Sequence, residues 1–441
     1  MIDRRLFLAA AVAVAAHPAA AQPPAAALRL TLEDAIARGV ETSHRLAEAV
    51  ARGEAADASA GQRHAALLPQ IAVQAGYTRT NHVETFGVQL PNNVLRVIYP
   101  DIPDNYRSRL DLQWPIYTGG RLDALERAAR IEATASGDDV RTARMDLALE
   151  IARAYWTLVS ASASAAVVEE SVRRVDAHLQ DVRNQLASGL VPPNEVLNIE
   201  AQESRQRMLA IQAHGSRDVA EADLARLVGA APGTAIEPVA ALDPPAAESP
   251  ALDALIAAAK QQRPERAALV KRASAAAERQ RAAAAGLKPA IAIGGGFDYA
   301  RPNPRIFPRE ERWRTSWDAS VNANWPLFDG GRARSEVAEA AALTAATEAR
   351  LADLDAALAV EIRQRLTELE SSRAAIDAAA DAVRSATEAR RVVGERFRAG
   401  VATSTDVLDA QIVVLQAELD RTQAIAGARL ARARLDRALG R

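Results

Sequence analysis

The sequence predicts a mostly α-helical protein with a membrane β-barrel, built as a tandem repeat of two strands plus long helices. Three observations predict it. First, Trp114-Pro115-Ile116-Tyr117-Thr118-Gly119-Gly120-Arg121 returns 211 residues later as Trp325-Pro326-Leu327-Phe328-Asp329-Gly330-Gly331-Arg332. Second, each copy of that motif follows segments of period-two hydrophobicity and opens a long proline-free, alanine-rich stretch. Third, the chain begins with an export segment, and no helix able to span a membrane is expected after it.

Composition narrows the function. Of 441 residues only 4% are aromatic, and the large apolar share is mostly alanine, which favours long helices over a packed globule. A net charge of −2 gives nucleic acid no electrostatic hold. Without cysteine there is no disulfide, thiolate metal site or lipid anchor on sulfur. Arg4 and Arg5, an apolar run over 6–16 and Ala19-Ala20-Ala21 before Gln22 read as a signal peptide at 1–21. The exported chain is then either soluble or a spanning β-barrel.

Repeat 1 is expected at 22–231, a proline-rich linker at 232–250 and repeat 2 at 251–441. Leu32-Glu33-Asp34-Ala35-Ile36 is echoed 220 residues on by Leu252-Asp253-Ala254-Leu255-Ile256, and Pro69 by Pro289. The offset shortens to 211 at the tryptophans, so repeat 1 carries nine extra residues between Tyr77 and Trp114, a surface loop. A helix over 32–68, with a break expected near Gly39, is stopped by Pro69. Strands follow at about 70–80 and 107–117, separated by a loop with Pro91-Asn92-Asn93, Pro100 and Pro103. A long helix over 120–188 and a shorter one over 194–228 close the repeat. Repeat 2 has strands at about 290–300 and 314–327 and a long helix over 331–399.

The strands alternate strictly. Leu110, Leu112, Trp114 and Ile116 alternate with Arg109, Asp111 and Gln113, and Trp317, Ala319, Val321, Ala323 and Trp325 with Asp318, Ser320, Asn322 and Asn324. A half-buried sheet in a soluble core would show the same pattern. The aromatics favour a membrane: 13 of 17 fall within 77–117 or 297–328. Tyr77, Trp114, Tyr117, Trp317, Trp325 and Phe328 are therefore the expected membrane-interface residues. Four strands cannot close a barrel, so several chains must; a dimer would supply eight strands and a trimer twelve. In the helices Val168, Val172, Val175, Leu179, Val182 and Leu186 step by four and three, and Ile362, Leu369, Ile376 and Val383 by seven. These are coiled-coil seams.

The export segment, the duplicated strand–strand–long helix–short helix order and the W-P-[IL]-[YF]-x-G-G-R motif resemble the TolC-type outer membrane factors across essentially the whole exported chain. The resemblance implies a homotrimer whose twelve-stranded β-barrel lies in outer membrane lipid and continues into a periplasmic α-helical barrel. It implies docking to a periplasmic adaptor and an inner-membrane pump of RND or ABC type. It places the gate at the helical tips far from the membrane, here 186–193 and 397–404. Asp406-Val407-Leu408-Asp409 resembles the family's constriction, so Asp406 and Asp409 are candidate gate residues. Gly189, Leu190, Asn194, Glu195, Phe397, Arg398, Gly400 and Val401 are candidate tip contacts for gating or adaptor docking.

Chemistry of the residues alone assigns Gly189 and Gly400 to positive-φ helix caps, and Asn194 and Ser404 or Thr405 to caps of the returning helices. It also allows Asp406 to serve the helix N-terminus. The family's tyrosine and arginine lock falls on Phe397 and Ala402, which cannot form it; a rebuilt lock would use Arg396 or Arg398. No catalytic constellation, metal site or cofactor is expected, since the six histidines (17, 44, 64, 82, 178, 214) show no metal spacing. The function expected is an exit duct for efflux or type I secretion. The alternative is a periplasmic coiled-coil or adaptor protein; adaptors carry a single helical hairpin flanked by β-rich domains that this chain lacks.

Overall fold

The computed structural model describes residues 27–441 apart from 93, 232 and 247–250. The signal peptide expected at 1–21 and part of the expected linker lie outside the described residues. The elements are β1 (Leu28–Leu30), α1 (Leu32–Thr42), α2 (His44–Ala65), β2 (Gln70–Arg79), β3 (Phe86–Gln89), β4 (Leu95–Tyr99), β5 (Asp104–Tyr117), α3 (Arg121–Ala187) and α4 (Pro193–Leu227). Then come β6 (Ile236–Pro238), α5 (Leu252–Gln262), α6 (Pro264–Ala284), β7 (Ala290–Arg301), β8 (Arg314–Asn324), α7 (Arg332–Arg398) and α8 (Ser404–Ala438). The fold is mostly helical. α3 and α7 have 67 residues each, about 100 Å at 1.5 Å per residue.

The expected break near Gly39 falls instead at Ser43, whose hydroxyl caps α2 by accepting from Leu46 N at 3.2 Å. Gly39 lies inside α1 for a different reason. A Cβ there would collide with the Ile151 side chain and sit 2.9 Å from the Leu227 carbonyl oxygen, so glycine permits close helix contact. In repeat 2 the matching break is set by Pro264 at the first turn of α6.

β2, β5, β7 and β8 form one antiparallel sheet in the order β2-β5-β7-β8. Its register aligns Val73 with Leu110, Leu110 with Phe297 and Phe297 with Trp317. One face is therefore an apolar sheet, and Ile71, Val73, Trp317 and Val321 are 69–74% exposed on it. So large an uncovered apolar face needs lipid or protein against it. Among the described residues the outer edges of β2 and β8 have no partner, and one chain does not close a barrel.

Helix order repeats strand order. α2, α3, α6 and α7 pack side by side, continuing β2, β5, β7 and β8, while farther along α4-α3 and α8-α7 form two hairpins joined by α3 against α8. The seams are buried: Val168, Val175, Leu179 and Val182 on α3, and Ile362, Leu369 and Ile376 on α7, are at most 7% exposed.

Three further expectations need correction. The loop that carries the nine extra residues holds a β3–β4 hairpin rather than plain loop. The linker is not only a connector, because β6 pairs in parallel with β1 near the chain start. Tyr155 ties the two together, donating to Leu30 O and accepting from Ala240 N, both at 3.1 Å. Finally, α3 does contain a window apolar enough to cross a membrane by length and composition. Half of that window is buried within the protein. Ile151, Tyr155, Leu158 and Val159 of α3 belong to a core with α1, α4, β1 and β6, which explains the apolar composition.

Candidate functional site at the helical tips

The two helical hairpins end in matching turns. Gly189 and Gly400 adopt φ of +74° and +73°, a conformation that side chains with a Cβ resist. Gly189 N donates to Leu186 O and Leu190 N to Gln185 O, both at 2.9 Å; Gly400 N and Val401 N repeat this with Phe397 O and Arg396 O. This is the Schellman arrangement, which satisfies the last helix carbonyls. In both turns the apolar residue after glycine stays uncovered: Leu190 is 75% and Val401 63% exposed.

The returning helices start differently from each other, and differently from expectation. Asn194 is no cap. α4 opens with Pro192 at the cap position and Pro193 at the first turn, where a missing N–H costs nothing. Ser404 and Thr405 lie within α8, and the cap is Thr403. Thr403 Oγ1 accepts from Asp406 N at 3.2 Å, while Thr403 N and Oγ1 both donate to Asp406 Oδ2 at 2.8 Å. These bonds hold the Asp406 carboxyl below the usual carboxylate range, the backbone N–H of Thr403 contributing most. Asp406 thus serves the helix start. Asp409, three residues on, is exposed on the same side.

No lock joins Asn194 or Glu195 to the facing hairpin among the described residues. Arg396 reaches only Val401 O of its own turn, at 3.5 Å. Phe397 instead packs edge-on against His178, with ring centroids 5.2 Å apart. His178, on α3, is 7% exposed, and its Nε2 lies 2.8 Å from Ser404 Oγ on α8. One buried histidine therefore pins the first hairpin to both helices of the second. Burial pushes its pKa down, with Asp181 opposing. His178 is not among the expected tip contacts; its signal in the sequence is its place beside Leu179 on the buried stripe of α3.

At the other end of the molecule, the polar face of the sheet holds a second unforeseen cluster. Asp298 is completely buried, bonded by Arg107 Nε at 2.6 Å and by Arg109 Nη1. Arg109 also reaches Asp111 at 2.6 Å and Asp318 at 3.1 Å. Gly296 makes room, since a Cβ there would collide with the Arg109 guanidinium.

On the apolar face the rings gather at both strand ends. Tyr77, Tyr106, Trp313 and Tyr299 form a chain with centroids 4.7–6.0 Å apart. Eight residues from Tyr106, about 27 Å along β5, stands Trp114. Trp114 Nε1 donates to Leu67 O at 3.3 Å and Trp325 Nε1 to Leu287 O at 3.2 Å, tethering the strands of both repeats to helix ends. Tyr117 and Phe328 lie near these tethers and are exposed. Trp317 sits opposite Phe297. Among the described residues no group of three or more His, Asp or Glu is placed to hold a metal ion.

The chain is similar to Protein CyaE of Bordetella pertussis, 27% identical over 395 residues that cover 88% of this chain and 80% of the relative. Its fold is similar to that of a membrane protein from Pseudomonas aeruginosa, with a TM-score of 0.77, 21% identity and coverage of 93% of this chain and 92% of the other. It is also similar to the outer membrane protein VceC from Vibrio cholerae, with a TM-score of 0.76, 23% identity and coverage of 93% and 96%. A family model described as outer membrane efflux protein matches residues 36–230 and 255–441. The chain therefore belongs to the outer membrane efflux protein family, and resides in the outer membrane with its helical part in the periplasm.

Proposed function

We propose that this chain is one of three identical subunits of an outer membrane exit duct, fed by a periplasmic adaptor and an inner-membrane transporter. The observation that carries this reading is the four-stranded sheet, apolar on one face, polar on the other, and unpaired at both edges. Lipid leaves no backbone N–H or C=O unsatisfied, so β8 of one subunit must pair with β2 of the next. Three subunits give twelve strands around a wet lumen lined by the Arg109–Asp298 face.

The helix edges support the same closure, since α2 and α4 flank one side of the subunit and α7 the other. Leu343 and Val360 on α7 and Ile211 and Val219 on α4 are more than half exposed, as edges awaiting neighbours would be. Leu190 and Val401 give the adaptor an apolar foothold at the tips. Tyr77, Trp114, Tyr117, Trp325 and Phe328 anchor the barrel at the lipid boundary, whereas Trp317, expected there too, is level with Phe297 and Leu110 midway between Tyr106 and Trp114 and faces the lipid interior. Asp406 and Asp409, three of each in the trimer, put six carboxylates around a narrow throat and favour cations.

Planar-bilayer recording of the purified protein tests the reading. Steady conductance with cation-biased reversal potentials is expected, and Asp406→Asn with Asp409→Asn should weaken the bias. Absence of conductance would defeat the duct; an unchanged bias in the double variant would remove the throat assignment alone.

A further inference from the structure

We propose that a pocket on the polar face of the sheet, near the strand ends far from the helices, binds an oxyanion: the carboxylate or phosphate group of a solute in the lumen. Its place in the lumen rests on the duct reading, while the pocket itself lies within one chain. It has a volume of about 320 Å³, and Arg107, Arg109 and Arg309 line it without any acid.

The floor follows from strand register. Gly76, Arg107 and Ala300 stand in one row across β2, β5 and β7 and share a face, with Gln74 and Arg109 in the next row of that face. A Cβ at Gly76 would meet no atom within 4 Å, so the space beside Arg107 is open. The roof is the β7–β8 connection, which folds back over the floor and brings Pro302, Pro304 and Arg309. Two side chains pin this connection to β8. Asn303, 2% exposed, donates to Arg314 O and Ser316 Oγ, both at 3.0 Å. Arg305 donates to Trp317 O at 2.9 Å and pairs with Asp318 at 2.8 Å.

The three cations are unequally satisfied. Arg109 is fully engaged by Asp111, Asp298 and Asp318. Arg107 gives Nε to Asp298 at 2.6 Å, but its two Nη groups make no hydrogen bond among the described residues, and half of its side chain is exposed. Arg309 has no carboxylate within ion-pairing distance among the described residues. Tyr99 of β4 holds it instead, with the guanidinium 5.2 Å from the ring centroid and Nη1 donating to the hydroxyl at 3.1 Å. An aromatic anchor fixes a guanidinium without cancelling its charge. The acids next to Arg309 in sequence are taken elsewhere, Glu310 by Arg312 and Arg314 and Glu311 by Arg301. A cleft lined by one sign of charge gathers counter-ions, and guanidinium forks take carboxylate or phosphate oxygens in charge-assisted pairs.

The test is calorimetric titration of the full-length channel in non-ionic detergent at low salt. The probes are inorganic phosphate, a tetra-aspartate peptide and its tetra-asparagine counterpart. Saturable binding of phosphate or of the aspartate peptide, one site per chain, is expected, and no binding of the asparagine peptide. Phosphate without peptide assigns the site to small free anions, and peptide without phosphate to carboxylates on a larger solute; either supports the proposal. Arg309→Gln should weaken binding about tenfold, and Gly76→Gln should keep it within about threefold. Gly76→Glu, which sets the channel's own carboxylate beside Arg107, should abolish it. Arg107 and Arg109 are left in place because they hold the buried Asp298. The proposal is overturned if neither acidic probe binds, if the asparagine peptide binds as well as the aspartate one while phosphate does not bind, or if binding survives Arg309→Gln and Gly76→Glu unchanged. Conductance without binding would remove the pocket and leave the duct; binding without conductance would remove the duct and leave the pocket.

Discussion

The two hairpin tips share a backbone and differ in chemistry. Both end in a positive-φ glycine and leave an apolar residue bare. The first then restarts with Pro192-Pro193, whose geometry needs no side-chain bond. The second restarts with Thr403 and Asp406, a reciprocal cap that depends on a charged carboxylate. The first also supplies His178, where the second has Ala389 at the equivalent place. Duplication thus fixed the architecture while the tips diverged: one is rigid by covalent geometry, the other held by bonds that can be titrated or cut. In the reading proposed above the gate carboxylates sit on the second.

The largest difference should come from His178→Ala. It leaves the buried Ser404 hydroxyl without a partner and removes the ring beneath Phe397, a loss of about 2–3 kcal/mol. Amide exchange should accelerate at 400–411 far more than at 189–200; equal acceleration would mean that His178 does not pin the second tip.

Gly189→Val and Gly400→Val should each cost about 1–3 kcal/mol through the left-handed backbone alone, since open space surrounds both. Thermal melts of the two variants should match, and a gap of several degrees would show that the turns are not equivalent. Thr403→Ala should cost about 1 kcal/mol, while Asn194→Ala, which removes no cap, should stay within about 0.5 kcal/mol.

Acidification separates the tips in two windows. His178 has a depressed folded pKa, so the unfolded state takes up its proton first. The α3 contact with α7 and α8 is at full strength above about pH 6.5 and weakens as pH falls below it. Asp406 also has a depressed folded pKa. Its cap is complete above the unfolded value near 3.9 and is lost as pH falls through the lower folded value. Exchange at the start of α8 should therefore rise in both windows, while the start of α4 responds in neither. His178→Phe should remove the upper step and keep the lower one.

Much of this arrangement was legible in the residues. Period two located the four strands within a few positions, because one face of each is apolar and the other polar or small. The step of seven found Ile362, Leu369 and Ile376, and the doubled glycines found the turns. What escaped depends on distant partners. Asp298 is buried only because the β5–β7 register sets it beside Arg109, and Gly296 looked like strand filler until that arginine lay across it. Ser43, not Gly39, breaks the first helix because a hydroxyl can cap and a glycine was needed for close packing. β1 and β6 are three residues each, too short to show a period, and form only because the linker returns to the chain start. His178 was one histidine among six until Phe397 and Ser404 closed on it.

The proposed duct requires subunits to complete one another's sheet. Native mass measurement of the detergent-extracted, full-length protein tests this directly. A species of three chains is expected, converting to insoluble material when detergent is withdrawn. A single chain that stays dissolved in plain buffer, with Trp317 shielded from quenchers, would contradict it.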